Sequence, residues 1–298
     1  MSDFSIPTGY EFEVTEEDAF SVDPVAPIWI SVPIFIIMAP LTIFCLIVTL
    51  ILGSIIIPLY RKQSIERRDK LSRFIMFWLM STARFRITVI DHNKDESKHA
   101  QMYVAPHICM LEAMMMIYSI GHIRPMTAEF TRNIPVFGSF VHASDPIYVK
   151  RGKQKNKISV VDQLRESVDT TVYRHLIFPE GTFTNGKSLI QFKSGAFAVG
   201  RPVTPMLFRY PQYTPFWNRE ESSFFVQIYR IVSRFFTPVT IEYLPTYTPT
   251  DEEVKNPKLY AENIRKLISY YSKKPLSSQS LIDSPNYKID KQKKVNNQ

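Results

Sequence analysis

The pattern of hydrophobic and polar residues changes character along the chain. Residues 1–23 carry Asp3, Glu11, Glu13, Glu16, Glu17, Asp18 and Asp23 and no Lys or Arg. Such a segment offers little apolar surface to bury and is expected to be a disordered acidic tail. It also lacks the basic stretch that opens a signal peptide. Residues 24–60 then contain no charged side chain, and Ile, Leu, Val and Phe dominate from Ile34 to Leu59. About 20 such residues span a bilayer core as a helix, so this segment is long enough. Its surplus length, with Pro33 and Pro40, allows one tilted or kinked transmembrane span or a re-entrant hairpin that never crosses. Residues 61–85 form a basic amphipathic stretch, with Arg61, Lys62, Arg67, Arg68, Lys70 and Arg73 set against Glu66 and Asp69. The apolar run that follows, FIMFWLM, is too short to span. It suits an interfacial helix lying on headgroups or a core helix of the following domain. The excess of basic charge beside the apolar segment marks the cytoplasmic side.

From residue 86 onward, short β-rich runs alternate with helical stretches. Strands are expected at 86–91, 101–105, 123–127, 147–150, 174–178, 203–208 and 239–244. Helices are expected at 109–119, 135–142, 157–169, 193–199, 224–235 and 257–271. This alternation predicts an α/β domain over 86–273, with a mostly parallel central sheet flanked by helices. Residues 274–298 are rich in Ser, Lys, Asn and Gln and are expected to be a second disordered tail.

Charge and cysteine content narrow the partners. A net charge of +8 favours an anionic partner. No basic helix, zinc-ligand spacing or aromatic-basic RNA motif is present, so nucleic acid is not expected. The apolar segment points instead to a lipid bilayer and phosphate-bearing ligands. Cys45 and Cys109 give no disulfide framework, which favours a reducing compartment.

Candidate chemistry gathers in the stretch from Leu176 to Phe197, LIFPEGTFTNGKSLIQFKSGAF, where a β-run ends at Pro179 and an acidic, small and hydroxyl-bearing turn follows. Loops at strand ends are where rigid folds present chemistry. Upstream, His107 follows a β-rich run and Pro106, and Glu112 lies five positions later. Within one regular helix that spacing would set the two side chains about 140° apart, off a common face. A contact therefore requires His107 in the turn before a helix and Glu112 in its first turn, and Pro106 disfavours a helix running through that point.

These residues resemble a known family. His107 with Glu112, the block Ile147-Tyr148-Val149-Lys150-Arg151, the block Phe178-Pro179-Glu180-Gly181-Thr182, and Val203-Thr204-Pro205 resemble the four ordered motifs of the glycerophospholipid acyltransferases. EGTFTNGKSLIQFKSGAF, MLFRYP at 206–211 and DEEVKNPKLYAENIRKL at 251–267 resemble the lysophosphatidylcholine acyltransferase branch in particular. The resemblance covers about residues 60–271 and implies the acyltransferase fold. It implies transfer of a fatty acyl group from acyl-CoA to the free glycerol hydroxyl of a lysophospholipid, with no resident cofactor and no metal. His107 would be the general base and Glu112 its orienting acid. Arg151 would clamp the acceptor's phosphate with its guanidinium fork. Glu180 would hold a basic residue such as Arg151 in place, Gly181 would let the backbone approach the ligand, and Thr182 would offer a hydroxyl and an amide. Lys193 would meet the CoA diphosphate or be a surface charge, and Pro205 would shape the acyl pocket. Cys109 and Met114 to Met116 are expected to be packing residues.

Other readings stay open. The acceptor could be lysophosphatidic acid or glycerol 3-phosphate, or the chain could be a non-catalytic lipid-binding relative. Two departures from the family pattern bear on this: Glu112 stands where Asp is usual, and Thr127 where many relatives carry Lys. An extended Glu overshoots an imidazole placed for Asp, so Glu112→Asp is expected to match or exceed the parent. An integral protein of the endoplasmic reticulum, its catalytic domain facing the cytoplasm, is the location that goes with this reading.

Overall fold

Alternation between two buried faces builds the centre of the protein. In the strand Met102–Val104, Met102 and Val104 join one apolar cluster, while Tyr103 and the following Ala105 join the other. That is the period of two of a strand covered on both sides. The computed structural model describes residues 6–21, 27–60, 63–133, 138, 141–142, 144–149, 159–210, 224–285 and 287–288 of the 298-residue chain. In chain order its elements are β1 (Val14–Thr15), α1 (Ile28–Tyr60), α2 (Ile65–Thr82), β2 (Phe85–Asp91), β3 (Met102–Val104), α3 (Glu112–Ile120), β4 (Ile123–Ala128) and β5 (Ile147–Val149). There follow α4 (Val160–Thr170), β6 (Arg174–Ile177), β7 (Val203–Arg209), α5 (Phe224–Val232), β8 (Thr237–Tyr243), α6 (Asp251–Lys255), α7 (Pro257–Ser272) and β9 (Leu276–Ser277).

A seven-stranded sheet runs in the order β2-β8-β7-β3-β6-β4-β5. Every pairing is parallel except β7 with β8, so β8 and β2 run against the other five strands. Leu164 of α4 and Tyr260, Ile264 and Ile268 of α7 pack on one face; Met80 of α2 and Met115 and Met116 of α3 pack on the other. The expected strands and most expected helices are present. The helix expected at 193–199 is instead a turn leading to a short 3-10 segment, Phe197–Val199, with Gly195 before it and Gly200, at φ +69°, ending it. Glycine is a poor helix former and favours such a stop. Most of the helix expected at 135–142 lies outside the described residues.

The chain ends differ from the expected disordered tails. β1 pairs in parallel with β9, so residues near the two termini form a small sheet of their own. Ala19 and Phe20 are buried with Ile190, and the Asn185 N–H donates to Ala19 O. Arg265 of α7 donates to Leu189 O and Ser277 O. A segment with few apolar residues is held here because the domain already presents unpaired backbone and an apolar seat.

The apolar segment is one uninterrupted helix, running through Pro33 and Pro40 without a turn. At about 1.5 Å per residue α1 is roughly 50 Å long, more than a bilayer core requires. Only 6% of the residues in Ile28–Cys45 are buried. Two of its polar groups face the domain: Ser31 Oγ bonds the Tyr229 hydroxyl at 2.7 Å, and Thr42 Oγ1 accepts from Arg84 Nη1 at 2.8 Å. Arg84 lies just beyond α2, so the C-terminal part of α1 runs back alongside α2. The residues before α1 and the helix after it therefore rest on the same domain. α2 combines both roles foreseen for it. Ile75, Met76 and Met80 are buried, whereas Phe74, Phe77 and Trp78 are exposed. Arg68 does not face headgroups; it is buried and pairs with Asp145 at 3.4 Å.

If residues 6–21 are part of the folded unit, emptying the Phe20 site has a measurable effect. Phe20→Ala should cost about 3 kcal/mol, read as a lower thermal midpoint. An unchanged midpoint would return this segment to a loose tail.

Candidate active site

Register brings the site together. β3 and β6 are neighbours, with Val104 opposite Ile177. His107 and Glu180 each lie three residues beyond that pair (107 − 104 and 180 − 177), past the carboxyl ends of adjacent parallel strands. Chemistry gathers at such ends because loops from neighbouring strands converge there. The two loops are tied directly: the His107 N–H donates to Glu180 Oε2 at 2.8 Å, and the Thr184 N–H donates to His107 O at 2.8 Å.

His107 sits in the turn before α3, and Glu112 is the first residue of that helix. Glu112 Oε2 lies 2.7 Å from His107 Nδ1. The Glu112 carboxylate is buried and also accepts from the Ile108 N–H, at 3.1 Å on Oε2, and from the Tyr210 hydroxyl at 3.0 Å. Three donors, counting the imidazole, make burial of this charge tolerable, as a carboxylate without partners would be far costlier. The imidazole is stacked on Phe178, with centroids 3.7 Å apart and planes 12° apart, and is covered by Phe183 at 4.0 Å. The ring is thus fixed in position and orientation. With Nδ1–H on Glu112, Nε2 keeps its lone pair and makes no hydrogen bond among the described residues. The side chain remains 17% exposed.

The other candidates fall around this pair in different ways. Gly181 adopts φ +70°, and a Cβ there would lie 2.5 Å from Lys193 Nζ, so the exposed Lys193 side chain crosses directly over the Glu-Gly-Thr turn. Thr182 is buried and its hydroxyl bonds Ser284 Oγ at 3.0 Å, which ties the turn to the C-terminal segment. Pro205 is buried inside β7, level with Val104 of β3. Arg151 lies outside the described residues; Glu180, its expected partner, accepts from the His107 N–H.

Residues that sequence reasoning did not single out complete the surroundings. Tyr210, at the end of β7, belongs to the MLFRYP block; its position just past a strand parallel to β3 was the available signal. Phe183 and Lys274 gave none. Lys274 Nζ reaches the loop at Gly186, 3.4 Å from where a Cβ would stand; Gly186, at φ +73°, is also pressed against Ile108.

Burial sets the protonation of the neighbours. The Cys109 thiol is pushed up to about 12 by burial and by the nearby Glu112 charge, so it stays a thiol. The Tyr210 hydroxyl is likewise raised by burial and then by Glu112, and remains a donor. Burial pushes the Glu180 carboxyl up to about 8, against the downward pull of the His107 N–H and of Lys274. The arrangement is a buried carboxylate, a held imidazole and an open Nε2, which can take a proton from a hydroxyl placed beside it.

Comparison with known proteins agrees with the sequence motifs. Residues 86–209 match the family model described as Acyltransferase. Lysophosphatidylcholine acyltransferase 1 of Homo sapiens is 32% identical over 209 residues, covering 67% of this chain and 39% of that protein. Lysophospholipid acyltransferase LPCAT4 of Xenopus tropicalis is 30% identical over 234 residues, covering 75% of this chain and 44% of that protein. The chain thus spans less than half the length of these curated relatives. The crystal structure of the 1-acyl-sn-glycerophosphate (LPA) acyltransferase PlsC from Thermotoga maritima superposes with a TM-score of 0.54 at 16% identity, over 82% of this chain and 98% of that one. It shares the fold, with its sheet and flanking helices. On the ordered motifs, the matching domain and these relatives, the chain belongs to the glycerophospholipid acyltransferase family, in its lysophosphatidylcholine acyltransferase branch.

Proposed function

We propose that the protein is a membrane-bound acyltransferase that moves a fatty acyl group from acyl-CoA to the free glycerol hydroxyl of a lysophospholipid. The observation that carries this reading is the His107–Glu112 contact with Nε2 left open. In the proposed reaction Nε2 accepts the hydroxyl proton as the oxygen attacks the thioester carbonyl. The tetrahedral intermediate then collapses, the C–S bond breaks, and the CoA sulfur takes the proton back from the imidazolium. Glu112 keeps the proton on Nδ1 and stabilises the imidazolium. The faces of Phe178 and Phe183 favour the same positive charge. An acyl-enzyme on Cys109 is disfavoured, because a buried thiol held protonated is a poor nucleophile.

Substrate roles follow the family motifs. Arg151 clamps the acceptor's phosphate, and Lys193, over the Gly181 turn, meets the CoA diphosphate. Pro205 shapes the acyl pocket through the sheet. A non-catalytic lipid-binding role is less well supported, since the longer Glu112 closes on the histidine at 2.7 Å.

The placement in the membrane is also a proposal. α1 carries an exposed apolar surface, yet the chain on either side of it rests on one domain. We place the domain on the cytoplasmic face, with α1 and the exposed aromatic residues of α2 embedded from that side and the N-terminus not crossing. In sealed microsomes, protease added outside should cleave both an N-terminal tag and the domain. A tag protected until detergent is added would show a crossing helix and sink this arrangement.

Kinetics test the chemistry. At saturating acyl-CoA, His107→Ala should lose on the order of 10²–10⁴ in rate, the usual worth of a positioned base. Glu112→Gln should lose activity, since an amide keeps the shape without stabilising the imidazolium. Glu112→Asp should now fall by about 10-fold, because a carboxylate one methylene shorter cannot hold His107, Ile108 and Tyr210 together. Competition among lysophospholipids, lysophosphatidic acid and glycerol 3-phosphate identifies the acceptor. A folded His107→Ala protein with parental turnover would refute the mechanism.

A further inference from the structure

Lys274 belongs to the segment expected to be a loose tail, yet its side chain ends beside the site. Ser269 Oγ donates to Lys274 O at 2.6 Å, the Leu189 N–H donates to Pro275 O at 3.0 Å, and the Ser277 N–H donates to Leu189 O at 2.8 Å. These bonds pin the backbone on both sides of Lys274 to α7 and to the site loop. The ammonium lies beside Gly186, which also abuts Ile108, the residue after His107. Glu180 Oε2 takes the His107 N–H, while its buried Oε1 makes no hydrogen bond within normal distance limits among the described residues. Lys274 itself forms no ion pair within 4.0 Å among the described residues. Glu112 thus holds the His107 imidazole and Glu180 its backbone N–H, while the half-buried Lys274 ammonium lies at Gly186 of the same loop.

We propose that Lys274 is a positioning residue: it supplies the counter-charge to Glu180, and Glu180 in turn holds the His107 backbone where its imidazole meets Glu112. This rests on His107 being the base, as proposed above. The electrostatics agree in direction. Burial lowers the Lys274 ammonium while Glu180 and then Glu112 raise it, and Lys274 draws the Glu180 carboxyl down. The ionisable groups that face this pair are His107, Glu112, Tyr210 and Cys109 from the β3–α3 side and the end of β7, Arg209 from β7, and Lys193 from the site loop. Lys193 and Arg209 are more exposed and more readily screened by water. The C-terminal segment is therefore part of the active site's charge balance.

Lys274→Met, Glu180→Gln and the double variant of the full chain decide the matter. Initial rates are measured with acyl-CoA and a lysophospholipid over pH 6–10, and thermal midpoints alongside. Lys274→Met should lower kcat by about 10-fold with KM for either substrate nearly unchanged. Because loss of the cation raises the carboxyl further, the rising limb of its pH–rate profile should move to higher pH. That movement should vanish in the Glu180→Gln background. The double variant should be no slower than the worse single variant. Losses that multiply, or a loss confined to KM for acyl-CoA, would overturn the proposal; the second would make Lys274 a ligand for the donor's phosphates. If the parent turns nothing over, the functional reading fails, and the thermal midpoints still decide the coupling. Non-additive shifts support it, and additive shifts refute it.

Discussion

A hydrogen bond from the His107 N–H to Glu180, beside the one from the Thr184 N–H to His107 O, holds the two halves of the site to each other. It joins the loop after β3 to the loop after β6, strands already locked side by side by the Val104–Ile177 register. A backbone donor fixes where the peptide lies, and therefore where the imidazole begins. A side-chain contact would leave that freedom in place. Glu180 makes this bond from a buried position, which is unfavourable for a carboxylate unless charge is supplied nearby. Lys274, which the folded chain brings to the same loop at Gly186, is the cation proposed to supply it.

The second carboxylate solves the same problem differently. Glu112 is satisfied by short-range donors: the imidazole, the Ile108 N–H and the Tyr210 hydroxyl. Its extra methylene, which seemed from sequence to be a mismatch with the histidine, lets it span from His107 to Tyr210 at the end of β7. The Glu in place of Asp is thus part of a different local network, with the tyrosine as its third anchor. This is why shortening the side chain is now expected to harm and not to help.

Much of this was legible in the chain because it depends on local spacing. The alternation of apolar residues marked the strands, and five positions with an intervening Pro-His turn placed His107 before a helix and Glu112 at its start. The rest depends on pairing between residues far apart in sequence. β1 and β9 are too short and too polar to be seen alone, and each exists only because the other does. Lys274 reads as one more basic residue in a Lys- and Ser-rich tail; only the folded chain brings it to Gly186. Charge counting misjudged Arg68 for a similar reason, since its partner Asp145 lies 77 positions away. The long apolar run forms one exposed helix, as its composition suggested, but how its ends lie became readable only with residues 6–21 on the domain.

The exposed aromatic face of α2 and the site are joined through one core. α2 leaves Phe74, Phe77 and Trp78 exposed and buries Ile75, Met76 and Met80, the last of these in the same cluster as Met115, Met116 and Ile120 of α3. Phe77 also stacks on Tyr118 of α3, with centroids 6.5 Å apart and planes 20° apart. α3 is about 13 Å long at 1.5 Å per residue, and its first residue is Glu112. A displacement of α2 is therefore carried by packed side chains to Glu112, which bonds His107, because close-packed cores transmit strain and do not absorb it. On the proposed function this arrangement matters: the helix placed on the bilayer and the helix that starts with Glu112 share one core, so His107 keeps a fixed height above the surface that would supply its substrate.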